Sequence, residues 1–361
     1  MTKVSTMTSR AATTDFIGLD LSDKTATYVV LSAEGQVIKD GRLSLTRAGL
    51  SRAFAARPPA SIAIEVGGHS PWVSRMLTEL GYVVTVANPR QVKLISKGPR
   101  KNDRQDAENL ARLLRYDREM LRPICHRGET AQADLALLRS RDVLVRGRTR
   151  LINSVRSMVK AAGGRLPKCS AESFHYKVQD HLPEMLKPAL EPTLEVIAGL
   201  TEHIKTSTSK LEKLADERYP ETYILRQPKG VGPLTSLAFV LTLEEALRFG
   251  KSRSVGAFIG LTPRQYDSGE SHPQLRITKA GDAFLRRLLV SSAQYILGPF
   301  GEDCDLRRWG FKLMRGSDNQ ILKKKAIVAV ARKLAVLLHH LWLTGEVYEP
   351  LRQAALEEEA A

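Results

Sequence analysis

Four acidic residues stand where a carboxylate is either costly or closely grouped. Asp20 closes the apolar run Phe16-Ile17-Gly18-Leu19, and Glu65 closes a second, Ser61-Ile62-Ala63-Ile64. A carboxylate at the end of a core strand loses hydration, so it is unfavourable unless paired or metal-bound. Asp103 and Asp106, within Lys101-Asn102-Asp103-Arg104-Gln105-Asp106-Ala107, are three apart at a helix start and therefore share a face. Taken singly, Asp103 reads equally well as a helix cap, and Asp20 as a turn residue capping Lys24. Gathered together, four acids repel one another until cations neutralise them. Two Mg²⁺ ions about 4 Å apart are the usual answer for in-line phosphoryl displacement. Oxygen-only ligands suit Mg²⁺ or Mn²⁺ rather than zinc.

A second set lies in the last third of the chain. Pro228-Lys229-Gly230-Val231-Gly232-Pro233 has the form of a helix-hairpin-helix turn, whose backbone amides can meet a DNA phosphate at a helix N-terminus. Asp267-Ser268-Gly269-Glu270-Ser271 offers two hydroxyls, although a serine in a glycine-containing turn is by itself an ordinary turn residue. Tyr266 is a rival nucleophile by position, and packing is the plainer reading of an aromatic before a turn. His69 and His272 adjoin these motifs as candidate proton shuttles, against the commoner reading of exposed loop histidines. His339 and His340, on an apolar helix with Trp342, read as packing and surface positions rather than ligands. Cys125, Cys169 and Cys304 lie far apart without Cys-x-x-Cys spacing and read as ordinary thiols. There is no Gly-x-x-x-x-Gly-Lys-Ser/Thr run to hold ATP.

Charge points to polyanionic partners. The 361 residues carry 55 Lys+Arg against 39 Asp+Glu, a formal net charge of +16. From Arg139 to Lys168 there are nine basic residues and one acid, Asp142; from Arg307 to Lys333 there are again nine, with Asp318 the only acid. Two phosphate-facing surfaces follow as an expectation, a solubilising surface being the alternative for either one. The expected nucleic-acid contacts are Arg100, Lys101, Arg104, Arg146, Arg148, Arg150, Lys229, Gly230, Gly232, Arg276, Lys279, Arg286, Lys323, Lys324 and Lys325. The first cluster lacks the flanking Trp and Phe of an interfacial helix, and no run of eighteen uncharged apolar residues or N-terminal export signal is visible. A cytoplasmic, nucleoid-associated protein without a membrane partner is expected.

The elements that must position these residues fall into three blocks. Residues 1–14 read as a loose tail. Phe16–Leu21, Thr25–Leu31 and Gln36–Leu45 are β-prone runs separated by turn-like segments, which makes a meander. Helix Arg47–Ala56, strand Ser61–Glu65, helix Pro71–Leu80, strand Tyr82–Val86 and helix Asp103–Tyr116 follow, the alternation of a mixed sheet with helices on its faces. This α/β domain is expected over 15–125. Leu135, Leu138, Val145, Ile152, Val155 and Val159 then recur at helical intervals. Two long helices broken near Gly163-Gly164 and Pro167 are expected to form an elongated hairpin or coiled coil over 126–218. A compact, mainly helical domain is expected over 219–348, with an acidic tail at 349–361.

The order Gly18-Leu19-Asp20-Leu21-Ser22, Ile64-Glu65-Val66-Gly67-Gly68, then Lys101-Asn102-Asp103-Arg104-Gln105-Asp106-Ala107 resembles the N-terminal domain of the insertion sequence 110 family, the DEDD transposases. That resemblance implies a RuvC-like, ribonuclease-H-like fold and carries Asp20, Glu65, Asp103 and Asp106 onto the family's acidic quartet. Ala257-Phe258-Ile259-Gly260-Leu261-Thr262-Pro263, Asp267-Ser268-Gly269-Glu270-Ser271, Arg276-Ile277-Thr278-Lys279-Ala280-Gly281 and Leu285-Arg286 look like its second transposase domain. There the resemblance implies a nucleophilic serine, assigned to Ser268 with Ser271 as alternate. Arg276 and Lys279 would then neutralise the scissile phosphate or serve as plain backbone contacts.

The resulting reading is a DNA transposase that uses two Mg²⁺ (or Mn²⁺) ions as cofactors and a serine. The resemblance also implies a structured guide RNA encoded by the element, and the helical linker suits a homo-oligomer, dimer or tetramer. Three alternatives stand beside it: a metal-dependent junction nuclease with no covalent intermediate, a site-specific invertase, and a nucleic-acid-binding scaffold with a dead site.

Overall fold

The computed structural model describes residues 15–88, 102–273, 275–314, 316 and 319–352. The expected N-terminal tail, Arg100, Lys101 and most of the acidic tail lie outside these residues. The chain divides into two compact units, 1–127 and 128–361.

The first unit is a mixed α/β layer structure. Strands β1 (Phe16–Leu21), β2 (Thr25–Leu31) and β3 (Val37–Ser44) form the expected meander, followed by α1 (Arg47–Phe54), β4 (Ser61–Glu65), α2 (Ser70–Glu79), β5 (Val83–Ala87) and α3 (Asp103–Tyr116). The sheet order is β3-β2-β1-β4-β5. The meander strands pair antiparallel, whereas β1-β4 and β4-β5 pair parallel. A parallel pair needs a crossover, and α1 and α2 supply the two that are required here.

Alternation sorts the strand residues onto two faces. Ile17, Leu19, Ile62 and Ile64 join Leu50, Phe54, Val73 and Leu77 in one core, beneath α1 and α2. On the other face Ala63 and Ala87 meet Leu110 and Leu114 of α3, while Val29 and Leu31 meet Ala107 and Ala111. The buried positions of α3, namely Ala107, Leu110, Ala111 and Leu114, are the single stripe of an amphipathic helix.

The second unit is helical. Helix α4 (Glu129–Ala161) runs antiparallel to α6 (Lys187–Arg218), as shown by pairings of Asp134 with Arg218, Arg141 with Thr208 and Arg148 with Thr201. Gly163 at φ +82° turns the chain out of α4, into a segment holding the short helix α5 (Phe174–Lys177). Ile152, Val155 and Val159 close against Phe174, Val178, Leu190 and Leu194 at the far end of this pair.

The near end is continuous with the rest of the unit. Leu135, Leu138, Leu211 and Ala215 share one core with α8 (Pro233–Leu243), α10 (Ala283–Leu297) and α12 (Gln320–Thr344). Helices α7 (Glu221–Leu225), α9 (Arg253–Phe258) and α11 (Asp305–Met314) complete it. Among the described residues α12 is long and apolar enough to cross a membrane by composition. Its Val330, Ala331, Leu334, Ala335 and Leu338 line the core, which accounts for that composition.

Candidate active site and nucleic-acid contacts

Strand register brings Asp20 and Glu65 to one place. Leu19 lies beside Ile64 in the parallel β1-β4 pair, so Asp20 and Glu65 end neighbouring strands. Asp20 is paired with Thr27 inside the sheet, and the turn begins only at Ser22, whose N–H donates to Thr25 O at 3.0 Å. By alternation Asp20 is on the face of Gly18 and Glu65 on the face of Ala63, which is the face that α3 covers.

Helix α3 approaches through a missing side chain. A Cβ added at Gly18 would lie 1.8 Å from Ala107 O, so the first turn of the helix rests directly on β1. Glycine inside a strand marks such a close backbone approach. Asn102 caps this helix, its Oδ1 accepting from Gln105 N at 2.7 Å. The cap reading of Asp103 is corrected accordingly, and Asp103 and Asp106 both stand in the first turn. Among the described residues no three His, Cys, Asp or Glu side chains converge tightly enough to hold an ion. The donor chemistry nonetheless suits a hard cation, being carboxylate oxygen throughout.

The surroundings are polar but engaged. Arg104 donates to Asp40 on β3 and to Glu108 at 3.5 Å. The His69 ring accepts from Trp72 Nε1 at 3.2 Å, and its Nε2 is 3.7 Å from Asp23.

In the second unit, residues 260–273 and 275–279 form an extended arm with serines at its tip. Lys279 N donates to Gly260 O at 3.1 Å, Thr278 N to Thr262 O at 2.8 Å, and Arg264 N to Arg276 O at 3.0 Å. Ser268 and Ser271 exchange both backbone hydrogen bonds, at 3.2 and 3.0 Å, around Gly269 at φ +56°. That is a two-residue hairpin turn, in which a positive φ at the first central residue favours glycine. Both serines are exposed. Tyr266 is 77% exposed, which corrects the expectation that it packs. His272 lies 3.3 Å from Asp267.

The expected phosphate contacts divide by exposure. Arg146, Arg150, Arg276, Lys279, Lys324 and Lys325 are exposed, and Lys323 is half-buried. Arg146 pairs with Asp142 at 3.0 Å, and Lys229 with Glu302 at 3.4 Å. Arg148 is corrected: at 6% exposure it lies in the α4–α6 seam, where Nη1 donates to Thr201 Oγ1 at 3.2 Å. Arg286 is half-buried, its Nη1 donating to Ile259 O and Ala280 O. Gly230 adopts φ +92°, and Gly232 precedes α8 without a side-chain cap, so the first amides of that helix have no side-chain acceptor from the N-cap residue. His339 is buried between Ser252 Oγ at 3.0 Å and Ala246 O at 2.9 Å, and His340 lies half-exposed beside Glu346. All three cysteines are free thiols.

Sequence reasoning missed three structural supports, namely the Gly18 contact, the Asn102 cap and the carbonyl bonds of Arg286. The first left a signal, a glycine inside an apolar strand, and the second an ambiguous one, since Asn102 and Asp103 are both residue types that cap helices.

Comparison with known proteins covers both units. Residues 17–163 match the family model of DEDD transposases of the IS110 type, and residues 222–300 match that of the transposase IS116/IS110/IS902 family. A transposase for insertion sequence element IS1111A from Coxiella burnetii is 28% identical over 343 residues, covering 92% of this chain and 90% of that protein. A transposase for insertion sequence element IS1328 from Yersinia enterocolitica is 30% identical over 282 residues, covering 77% of this chain and 82% of that protein.

Proposed function

The chain belongs to the IS110 family of transposases, and from that premise we propose that it cuts and rejoins insertion-sequence DNA with a two-metal acidic quartet and a serine nucleophile. The observation that carries the reading is the register of β1 and β4, which sets Asp20 beside Glu65 on the face where α3 begins. The sheet order supports a RuvC-like, ribonuclease-H-like domain.

Asp20, Glu65, Asp103 and Asp106 would hold two Mg²⁺ or Mn²⁺ ions. Bound there, the ions would neutralise phosphate charge and lower the pKa of an attacking hydroxyl. The four carboxylates fix where those cations sit, and their mutual repulsion makes the site depend on them. Ser268 is the nucleophile, with Ser271 as alternate. Its Oγ bonds to phosphorus, its proton leaves to solvent or a base, and the bond from phosphorus to the departing strand's oxygen breaks as that oxygen gains a proton. A strand hydroxyl later reverses the exchange, so phosphodiester energy is conserved and no nucleotide is consumed.

Exposed Arg150, Arg276, Lys279, Lys324 and Lys325 contact phosphates, the Gly230–Gly232 turn acts as a helix-hairpin-helix element, and the α4–α6 pair is a coiled-coil linker. A structured guide RNA and a dimer or tetramer complete the reading, with the serine of one protomer serving the acids of another. A cytoplasmic location follows from a DNA substrate.

The test incubates the protein with element-end DNA, RNA from the element's flanking region and Mg²⁺, then denatures the mixture. A covalent DNA adduct mapped to Ser268, and lost in Asp20→Ala, is the expected result. Cleavage without an adduct, unchanged in Ser268→Ala and Ser271→Ala, would assign a hydrolytic nuclease instead.

A further inference from the structure

Arg286 reads from the sequence as a phosphate contact, and in the structure it is half-buried with one guanidinium nitrogen turned onto the backbone. Nη1 donates to Ile259 O at 2.7 Å and to Ala280 O at 2.8 Å. Ile259 immediately precedes the first residue of the serine arm, and Ala280 immediately follows the last. One charged nitrogen therefore ties the outgoing root of the arm to the returning root. Hydrogen bonds from a cation are about twice as strong as neutral ones.

The root needs such a tie, because its backbone is unusual. Gly260, Lys279 and Gly281 have φ of +77°, +54° and +68°. A Cβ at Gly260 would lie 2.2 Å from Ala280 O, and one at Gly281 would lie 2.0 Å from Phe258 O. The two root segments are thus pressed together backbone to backbone. A second anchor lies one helical turn away. The Asp282 carboxylate caps α10 by accepting from Leu285 N at 2.9 Å, and it also accepts from Arg139 of α4 at 2.6 Å. Arg286 so fastens the arm to a helix end that is itself fixed to α4.

We propose that Arg286 is the positioning residue of the serine arm, acting through the carbonyls of Ile259 and Ala280 to set where Ser268 and Ser271 are carried. Leverage makes this consequential. Eight extended residues from the root to Ser268 span about 26 Å, so a tilt of about 5° at the root moves the tip by about 2 Å. Misplacement of about 1 Å is enough to slow a reaction by about 100-fold. The catalytic consequence rests on the serine reading above; the mechanical one does not.

The test uses the full chain with its three cysteines replaced by serine, spin-labelled at Glu270→Cys on the arm tip and Gln320→Cys at the start of α12, while adduct formation and DNA affinity are read in the unlabelled chain. In the parent the distance distribution is narrow. Arg286→Ala is expected to broaden it at least twofold and to slow serine–DNA adduct formation at least tenfold, with affinity for element-end DNA within twofold. Arg286→Lys, which can still donate to both carbonyls, is expected to restore the narrow distribution and most of the rate. If Arg286→Ala does not fold, Arg286→Gln carries the same comparison. An unchanged distribution overturns the proposal, as does lost DNA affinity with the arm unmoved, which would make Arg286 a phosphate contact. If the arm loosens while Ser268→Ala and Ser271→Ala still cleave, the positioning role stands and the serine reading fails.

Discussion

Gly18 and Ala107 touch backbone to backbone: a Cβ at residue 18 would lie 1.8 Å from the carbonyl oxygen of Ala107. This contact sets how closely the first turn of α3, with Asp103 and Asp106, approaches the strand that carries Asp20. Gly18→Ala must push the helix away. The expected cost is about 1–3 kcal/mol from overpacking. Thermal unfolding of the first unit should fall by about 4 °C or more. DNA cleavage should fall further than that loss explains, since all four acids remain but no longer stand at the same separation. A variant with wild-type melting and cleavage would show that the contact relaxes at no cost.

Asp20→Asn and Glu65→Gln test the acids from the opposite direction. The melting temperature of each variant without divalent ions serves as its own reference. Addition of Mg²⁺ should raise the melting temperature of the wild type, because binding to the native state alone stabilises it by mass action, and should raise that of either variant much less. Cleavage should drop by about 100-fold or more in each, the scale seen when one electrostatic partner of a transition state is removed. Equal Mg²⁺ stabilisation in wild type and variants would remove these residues from the ion site.

His126 gives the first unit a pH dependence. Burial, then the charges of Arg75 and Arg127, hold its imidazole below the ordinary histidine pKa, and its Nε2 is buried without a partner among the described residues. The unfolded chain takes up a proton near about pH 6.5, which the folded chain resists. The stability this provides is present above about pH 6.5 and is lost as pH falls toward the lower folded pKa. Urea unfolding at pH 8 and pH 5.5 should show a larger acid loss in wild type than in His126→Phe. Parallel losses would mean that other groups set the acid limit.

Much of the first unit was legible because its strands are short apolar runs bounded by turn residues. Phe16–Leu21, Thr25–Leu31, Ser61–Glu65 and Asp103–Tyr116 have the same limits in sequence and structure. Pairing is different: nothing local reveals that Leu19 lies beside Ile64, because parallel partners are brought together by a crossover. The helix cap was ambiguous between Asn102 and Asp103, since both side chains can accept a hydrogen bond and only φ and ψ decide. Arg286 was misleading for a more basic reason. A guanidinium donates equally well to a phosphate and to a carbonyl, and the two carbonyls it meets are 27 and 6 residues away.

Arg148 was misread although its signal was present. Val145, Arg148, Ile152, Val155 and Val159 are spaced by three and four, so Arg148 falls in the apolar stripe of α4 rather than on its basic face. Among the described residues its Nε is buried without a partner, and its charge, after burial, helps hold Arg141 below the ordinary arginine pKa. Thr201 would not be stranded by its removal, because its hydroxyl also donates to Ile197 O at 2.8 Å. Arg148→Met should therefore be within about 1 kcal/mol of wild type or more stable, as when buried charges give way to apolar groups of similar size. Its nucleic-acid affinity and salt dependence should be unchanged. Exposed Arg150 is the contrast: Arg150→Ala should leave stability alone, weaken binding, and reduce the slope of log affinity against log salt by about 0.9, one phosphate contact. Titrations of both variants at several salt concentrations decide the matter. An equal loss of slope in Arg148→Met would mean that the α4–α6 seam opens to let a phosphate reach Arg148.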